Sequence, residues 1–351
     1  MRSIRAYSLP PVSRRILIAS FMTASVLTGF LGGHLAAASF PTRTTVKVTI
    51  PFERRTFKVQ NDFAIVWLAS HLPDNSSDRI ELFSRFGERL FTLNPLKAVQ
   101  GATEMSIWDV AVGPTGLLAV AAVYANEEGR HIVSLLVYSS SGSLVRAYSP
   151  GGMGRRLAVD EDENVWVLGE NWGDEDVPPL PVVSKFNQKG ELVGRYVSRA
   201  DLPPLVSGES GPGAGPDAIG LTKDGVWFWL PERRALVTFH KDGTHIGILR
   251  LGTPEWKLPE GTTGSAADVI FGKAYLLPTG KFIVPFAVST PKGMQSGIYT
   301  WEKSKGAWKP LSPPGATLPK GVIAGTDGDR LVFGTVKSDR PEIDFESVDL
   351  P

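Results

Sequence analysis

The chain has 351 residues, among them 37 Gly, 27 Pro, 9 Trp and 17 Phe, with no Cys and a formal charge of +1. The lack of Cys excludes disulfide frameworks and thiolate-ligated metals, and a hydrophobic share of 42% against 21% charged excludes a disordered chain. The near-neutral balance gives no basis for nucleic-acid binding through phosphate contacts, while Gly plus Pro, about 18% of the chain against roughly 12% in average usage, points to a turn-rich all-β protein.

Residues 1–38 read as an address. Arg2, Arg5, Arg14 and Arg15 precede an uncharged run from Ile16 to Phe40, and no acid occurs before Glu53; this is the order of an export signal. Ala36, Ala37 and Ala38 supply the small residues of a cleavage site after Ala38. Ser13-Arg14-Arg15-Ile16-Leu17-Ile18 resembles a twin-arginine signal, with Leu17 where that pattern prefers Phe. The alternative is an uncleaved anchor in the inner membrane, since about 20 apolar residues span a bilayer, although Gly29, Gly32, Gly33 and His34 interrupt this run. Cleavage takes four arginines and no acid from the +1 total, so residues 39–351 form a mildly acidic domain of charge −3, expected in the periplasm or outside the cell.

A short run rich in β-branched and aromatic residues then recurs: Phe63–Trp67, Leu117–Ala121, Val165–Leu168, Val226–Trp229, Phe282–Phe286 and Leu331–Phe333. The starts lie 54, 48, 61, 56 and 49 residues apart. A tight turn and another apolar strand precede the later copies, as in Val110–Val112 with Gly113–Gly116, Leu157–Val159 with Asp160–Asn164, Ala218–Leu221 with Lys223–Gly225, and Ala274–Leu277 with Pro278–Gly280. Gly, Asn and Asp suit such turns because they tolerate positive φ. A third strand and a second hairpin follow, marked by Gly87, Gly142, Gly190, Gly243 and Gly306, and then a more polar fourth strand. Each unit is thus a four-stranded antiparallel meander, and six of them fill the exported chain as the blades of a six-bladed β-propeller, one domain over residues 39–351. Radial packing buries both faces of each sheet and shortens the exposed edges. The sixth unit has only three strands after Gly321, whereas the alternating segment Thr44–Ile50 has no partner of its own; this N-terminal strand is expected to complete the last blade and close the ring.

Two phrases carry a family resemblance: Phe239-His240-Lys241-Asp242-Gly243, and Leu157-Ala-Val-Asp160 followed by Asn164-Val-Trp166-Val167. They resemble the NHL-like group, which includes NHL repeats and streptogramin-lyase-like and gluconolactonase-like proteins. The resemblance implies the propeller fold over nearly all of residues 44–351 and leaves the chemistry open. WD40 repeats do not fit, since Trp108-Asp109 occurs once, nor do kelch repeats, since Gly151-Gly152 is not repeated.

The long connections, 70–78, 126–131, 169–181, 199–217, 252–267 and 312–321, all fall at one end of the meanders, so a site is expected on that face. Asn171, Asp174 and Asp176 are candidate ligands for Ca²⁺ or Mg²⁺, which take oxygen donors, and Trp172 beside them is a candidate stacking surface. His71 and His131 close long connections in adjacent units and are the candidate bases or metal ligands of a catalytic reading. Arg155, Arg156 and Arg233, the last paired with Arg234, are candidates for an anionic ligand or acidic partner. His240 and His245 flank the Gly243 hairpin at the far end. The leading expectation is a non-catalytic module whose long-loop face takes a protein, peptide or glycan; the alternative is a metal-dependent lyase or lactonase at the channel mouth.

Overall fold

A computed structural model describes residues 40–50, 55–68, 79–150, 153–170, 182–204, 218–251, 269–290, 293–303, 305–311, 319 and 321–350. The leading segment and its cleavage site lie outside these residues, as do most of the long connections. Among the described residues no helix is long and apolar enough to cross a membrane.

The recurring apolar runs are the second strands of antiparallel meanders. Arg55–Gln60 (β2), Phe63–Leu68 (β3), Ile80–Ser84 (β4) and Arg89–Leu93 (β5) form the first. The next consists of Ala102–Val112 (β6), Leu118–Asn126 (β7), His131–Tyr138 (β8) and Leu144–Tyr148 (β9). Met153–Val159 (β10), Val165–Glu170 (β11), Val183–Phe186 (β12) and Leu192–Tyr196 (β13) follow, then Ala218–Leu221 (β14), Gly225–Leu230 (β15), Ala235–His240 (β16) and Gly247–Arg250 (β17). In the next sheet the innermost strand is split into Val269–Phe271 (β18) and Tyr275–Leu276 (β19), both pairing with Phe282–Thr290 (β20), which continues to Gly293–Glu302 (β21) and Ala307–Pro310 (β22). Val322–Asp327 (β23), Arg330–Val336 (β24) and Glu342–Asp349 (β25) complete the series with Arg43–Lys47 (β1).

The innermost strands connect in a closed cycle. The Lys58 ammonium on β2 donates to the Val110 carbonyl on β6 at 3.0 Å, and the Leu157 amide on β10 donates to Asp109 on β6 at 2.8 Å. Strand β10 packs on β14, and β14 on β19. The Tyr275 hydroxyl of β19 donates to the Ile323 carbonyl of β23 at 2.7 Å, and β23 returns to β2 through a parallel bridge at Val59 and Gly325. Four-stranded antiparallel sheets standing radially around an axis define a β-propeller.

The core lies between the sheets, and the period-two geometry of strands explains it. In β15 every residue is buried: Val226, Phe228 and Leu230 join one apolar cluster with the preceding sheet, while Trp227 and Trp229 join another with the following sheet. Successive side chains point to opposite faces, so a strand covered on both faces reads as an unbroken apolar run.

Closure of the ring by the N-terminal strand is also present. Strand β1 pairs antiparallel with β25, Val46 opposite Ile343. Burial alternates strictly over residues 43–50, with Thr44, Val46, Val48 and Ile50 inward. The three aliphatics join the cluster between the last and first meanders with Phe40, Phe83 and Phe345. The paired strand ends sooner than the alternation: beyond Lys47, Thr49 donates through its amide and hydroxyl to the fully buried Glu81 of β4.

Two details depart from the sequence reading. The connection at 126–131 is a tight turn, because the Asn126 side chain accepts from the Glu128 and Arg130 amides and lets β7 and β8 run long. The first meander also has an innermost strand of its own, β2, whose sequence RTFKVQ alternates too weakly to stand out.

Candidate functional site

Asp109, Arg156 and Lys273 each stand immediately before the buried residues of an innermost strand: Val110–Val112, Leu157–Val159, and Ala274 with Tyr275 respectively. The shared repeat position puts them at one level inside the ring. The backbone is irregular at each of these places. The register of β6 shifts between Ile107 and Asp109, and that of β10 between Gly154 and Arg156; in the third case the innermost strand breaks between β18 and β19. A bulge re-aims the side chain that follows it.

Lys58 reaches this level from β2, its ammonium 3.7 Å from the Asp109 carboxylate, and both side chains are almost fully buried. Burial pushes the Asp109 carboxyl up, but Lys58, Lys273 and Arg156, with the Leu157 amide, outweigh it and hold the group below its ordinary range. Burial is also the main influence on Lys58, lowering its ammonium, with Arg156 acting in the same direction and Asp109 opposing. Lys273 stands three steps away around the cycle in either direction, and its positive charge also favours the ionised Asp109. Arg156 also donates to the Arg155 carbonyl at 2.9 Å. Positive charge from three strands or strand junctions thus bears on one buried carboxylate, with Lys58 in direct contact with it.

Asp160 has a different task. It is 2% exposed and accepts from the amides of Asp162 and Asn164, the Asn164 side chain and the indole N–H of Trp166. Lys185 lies 3.9 Å away and 4.8 Å over the Trp166 ring. The Asp-to-Asn-to-Trp spacing in the sequence is therefore a hairpin lock anchored in the core.

Of the candidate residues, His71, Asn171, Trp172, Asp174 and Asp176 lie outside the described residues. His131 opens β8, exposed, on the tight turn after β7. Arg155 and Arg156 are half-buried within β10 and not at its loop end, because the strand runs from Met153. Arg233 donates to the Pro203 carbonyl from the short 3₁₀ turn Pro231–Arg233, and Arg234 beside it is buried with φ +46°. His240 and His245 stand with ring centroids 4.6 Å apart at the Gly243 hairpin. Among the described residues no three His, Asp or Glu side chains gather as a metal site.

Sequence reasoning missed Lys58, Asp109 and Lys273. For Asp109 and Lys273 the signal was present as a charged residue preceding the apolar run of the innermost strand, a position shared with Arg156 and visible only once the repeats are aligned on that run and not on the central strand.

No protein-family model matches the chain, and no curated protein is similar to it in sequence. Solved structures resemble it at low identity. Hydrazine synthase from Kuenenia stuttgartiensis is 12% identical with a TM-score of 0.47, over 82% of this chain and 75% of that one. A candidate 6-phosphogluconolactonase from Bacteroides uniformis is 13% identical with a TM-score of 0.42, over 83% of both chains. A GH43_1 enzyme from Xanthomonas citri, solved with xylose, is 12% identical with a TM-score of 0.41, over 79% of this chain and 94% of that one.

Proposed function

We propose that this chain is an exported six-bladed propeller of NHL-like type that acts as a binding module without catalysis of its own, directed to the periplasm or beyond by residues 1–38. One observation carries the reading: charged side chains from the innermost strands of separate sheets converge in the interior of the ring, where packing alone would favour apolar residues. The long connections on one face supply the surface for a protein, peptide or glycan.

The test is to probe peptide and glycan arrays with the purified full-length chain, with and without a chelator. The expected result is a retained ligand class whose binding the chelator does not alter. Thermal stabilisation by Ca²⁺ or Mg²⁺ that disappears in an Asp174→Ala/Asp176→Ala variant, together with turnover of a lactone, overturns it in favour of the metal-dependent enzyme.

A further inference from the structure

One hairpin departs from the repeat at two positions. Four of the third-to-fourth-strand turns share a backbone bond, in which the amide of Ser84, Ser139, Asn187 or His240 donates to the carbonyl four residues later. In the first three the side chain at that position also caps the turn: Ser84 accepts from the Phe86 and Glu88 amides, Ser139 from Ser143, and Asn187 from Lys189 and Glu191. A histidine stands there in the fourth, and Asp242 takes over the capping, accepting from the Thr244 amide and hydroxyl at 2.8 and 2.7 Å. The position five residues on departs as well. Of Arg89, Leu144, Leu192 and His245, only His245 has positive φ, at +55°, an uncommon conformation for a non-glycine residue that changes the direction of its side chain. The outcome is two exposed imidazoles with ring centroids 4.6 Å apart.

We propose that His240 and His245 form a two-imidazole site for a late first-row divalent cation, Cu²⁺ in preference to Ni²⁺ or Zn²⁺, with its remaining positions open to solvent. Metal–imidazole bonds of about 2.0–2.1 Å put two ring centroids about 4.5 Å apart at adjacent square-planar positions and about 5.2 Å apart at a tetrahedral angle. The observed spacing matches the square-planar arrangement, which Cu²⁺ favours, and Cu²⁺ also heads the affinity order for nitrogen ligands. The surrounding charge suits a cation. Lys241, next to His240, is paired with Glu161 of the preceding meander at 2.5 Å, and the Asp242 carboxylate stands in the same turn. The strand order sets this hairpin at the end of its meander opposite the connection 199–217, so the site is separate from the long-loop face and goes beyond the binding-module reading.

The competing account is that the two rings merely brace the hairpin against each other. His240→Asn separates the two, because it restores the turn-capping side chain that Asn187 supplies in the equivalent hairpin. The experiment titrates the untagged, chelator-stripped full-length chain with Cu²⁺, Ni²⁺, Zn²⁺ and Ca²⁺ by calorimetry, and records the electron paramagnetic resonance spectrum of the Cu²⁺ complex. We expect micromolar Cu²⁺ to saturate one site per chain, Ni²⁺ and Zn²⁺ to bind more weakly, Ca²⁺ not to bind, and the spectrum to show two imidazole nitrogens. His240→Asn and His245→Gln are each expected to weaken Cu²⁺ binding about tenfold or more, since loss of a ligand costs at least as much as loss of a ligand's hydrogen-bonding partner. The Tm of His240→Asn in chelator is expected to equal or exceed that of the parent. The site is refuted by a parent chain indifferent to Cu²⁺, by a spectrum with fewer than two imidazole nitrogens, or by unchanged affinity in either variant. A Tm lowered in His240→Asn with Cu²⁺ affinity unchanged assigns the pair to bracing alone, and none of these outcomes bears on a ligand retained by the long-loop face.

Discussion

Asp160 stands three residues before a glutamate, Glu163, held at φ +59° and closes its hairpin with a carboxylate in place of a glycine. Four donors converge on it, and one is the indole of Trp166, a side chain fully buried between two sheets. Replacing Asp160 by Ala leaves that indole N–H buried without an acceptor, a loss of about 1–3 kcal/mol before the turn itself loosens. Urea denaturation of Asp160→Ala is expected to show a midpoint lowered accordingly, with Asp160→Asn intermediate; an unchanged midpoint contradicts the lock. This arrangement was legible only in part. The Asp-to-Asn-to-Trp phrase stood out in the sequence, but its acids read only as part of a tight turn, because the direction of a carboxylate within a turn depends on the core beneath it.

At the level of elements, the third-to-fourth-strand hairpins show why glycine marks the repeat. Gly87, Gly142, Gly190 and Gly243 all have positive φ, and each faces the outer strand of the preceding meander: Thr45 of β1, Phe91 of β5, Tyr148 of β9 and Tyr196 of β13. Conformation and contact can be separated, because Gly101 and Gly190 share φ +73° but only Gly190 has a neighbour, the Tyr148 ring 2.9 Å from an added Cβ. Gly101→Ala is expected to cost about 1–2 kcal/mol from the backbone alone, and Gly190→Ala a further 1–3 kcal/mol or so from crowding. Equal costs in chemical denaturation would show that the contact contributes nothing. The same comparison places β1 among the outer strands, since Gly87 meets Thr45 as Gly142 meets Phe91.

The seam between β1 and β25 also carries its own pH dependence. Asp344 accepts from the Thr45 hydroxyl at 2.6 Å and from Arg43 at 2.7 Å, with Lys337 at 3.1 Å. Burial raises its carboxyl, but these partners prevail and bring it from 3.8 down to about 2. A carboxyl depressed on folding stabilises the native state above its unfolded value, near pH 4, and that contribution fades as pH falls toward 2. Acid titration followed by fluorescence is expected to show a less steep loss of stability between pH 4 and 2 for Asp344→Asn than for the parent; identical acid limbs would remove Asp344 from the seam's energetics.

For the whole molecule, ring closure was the most legible feature, and the interior site the least. The unpaired alternation at 44–50 and the missing fourth strand after Gly321 are complementary gaps, and edge pairing leaves one economical way to fill both. The charged interior gave no such clue, since Lys58 and Asp109 lie on strands about fifty residues apart in sequence and pair only when their two sheets stand side by side. Closure is open to a direct test. Val46 is fully buried in the seam, and Val46→Asp places an unpartnered carboxylate there, which costs several kcal/mol. The expected outcome is early proteolysis within residues 40–50 and a shift to higher oligomers on size-exclusion chromatography as β25 loses its partner. A monomer of unchanged protease resistance would show that the ring holds without its clasp.

The pairing of Thr45 with Asp344 spans 299 positions of sequence, and this sets a timetable for maturation. Strand β1 cannot find its partner until β25 has been made, and the sheets between the two can form while it waits. Loop-closure entropy grows only slowly with length, but the wait itself does not shorten, and during it β1 presents an unsatisfied backbone to any other open ring nearby. Assembly is therefore a race between intramolecular closure and exchange of first strands between molecules. The outcome depends on how many unfinished chains share a compartment at one time, so the same clasp that seals a single ring provides the joint through which crowded ones would interlock.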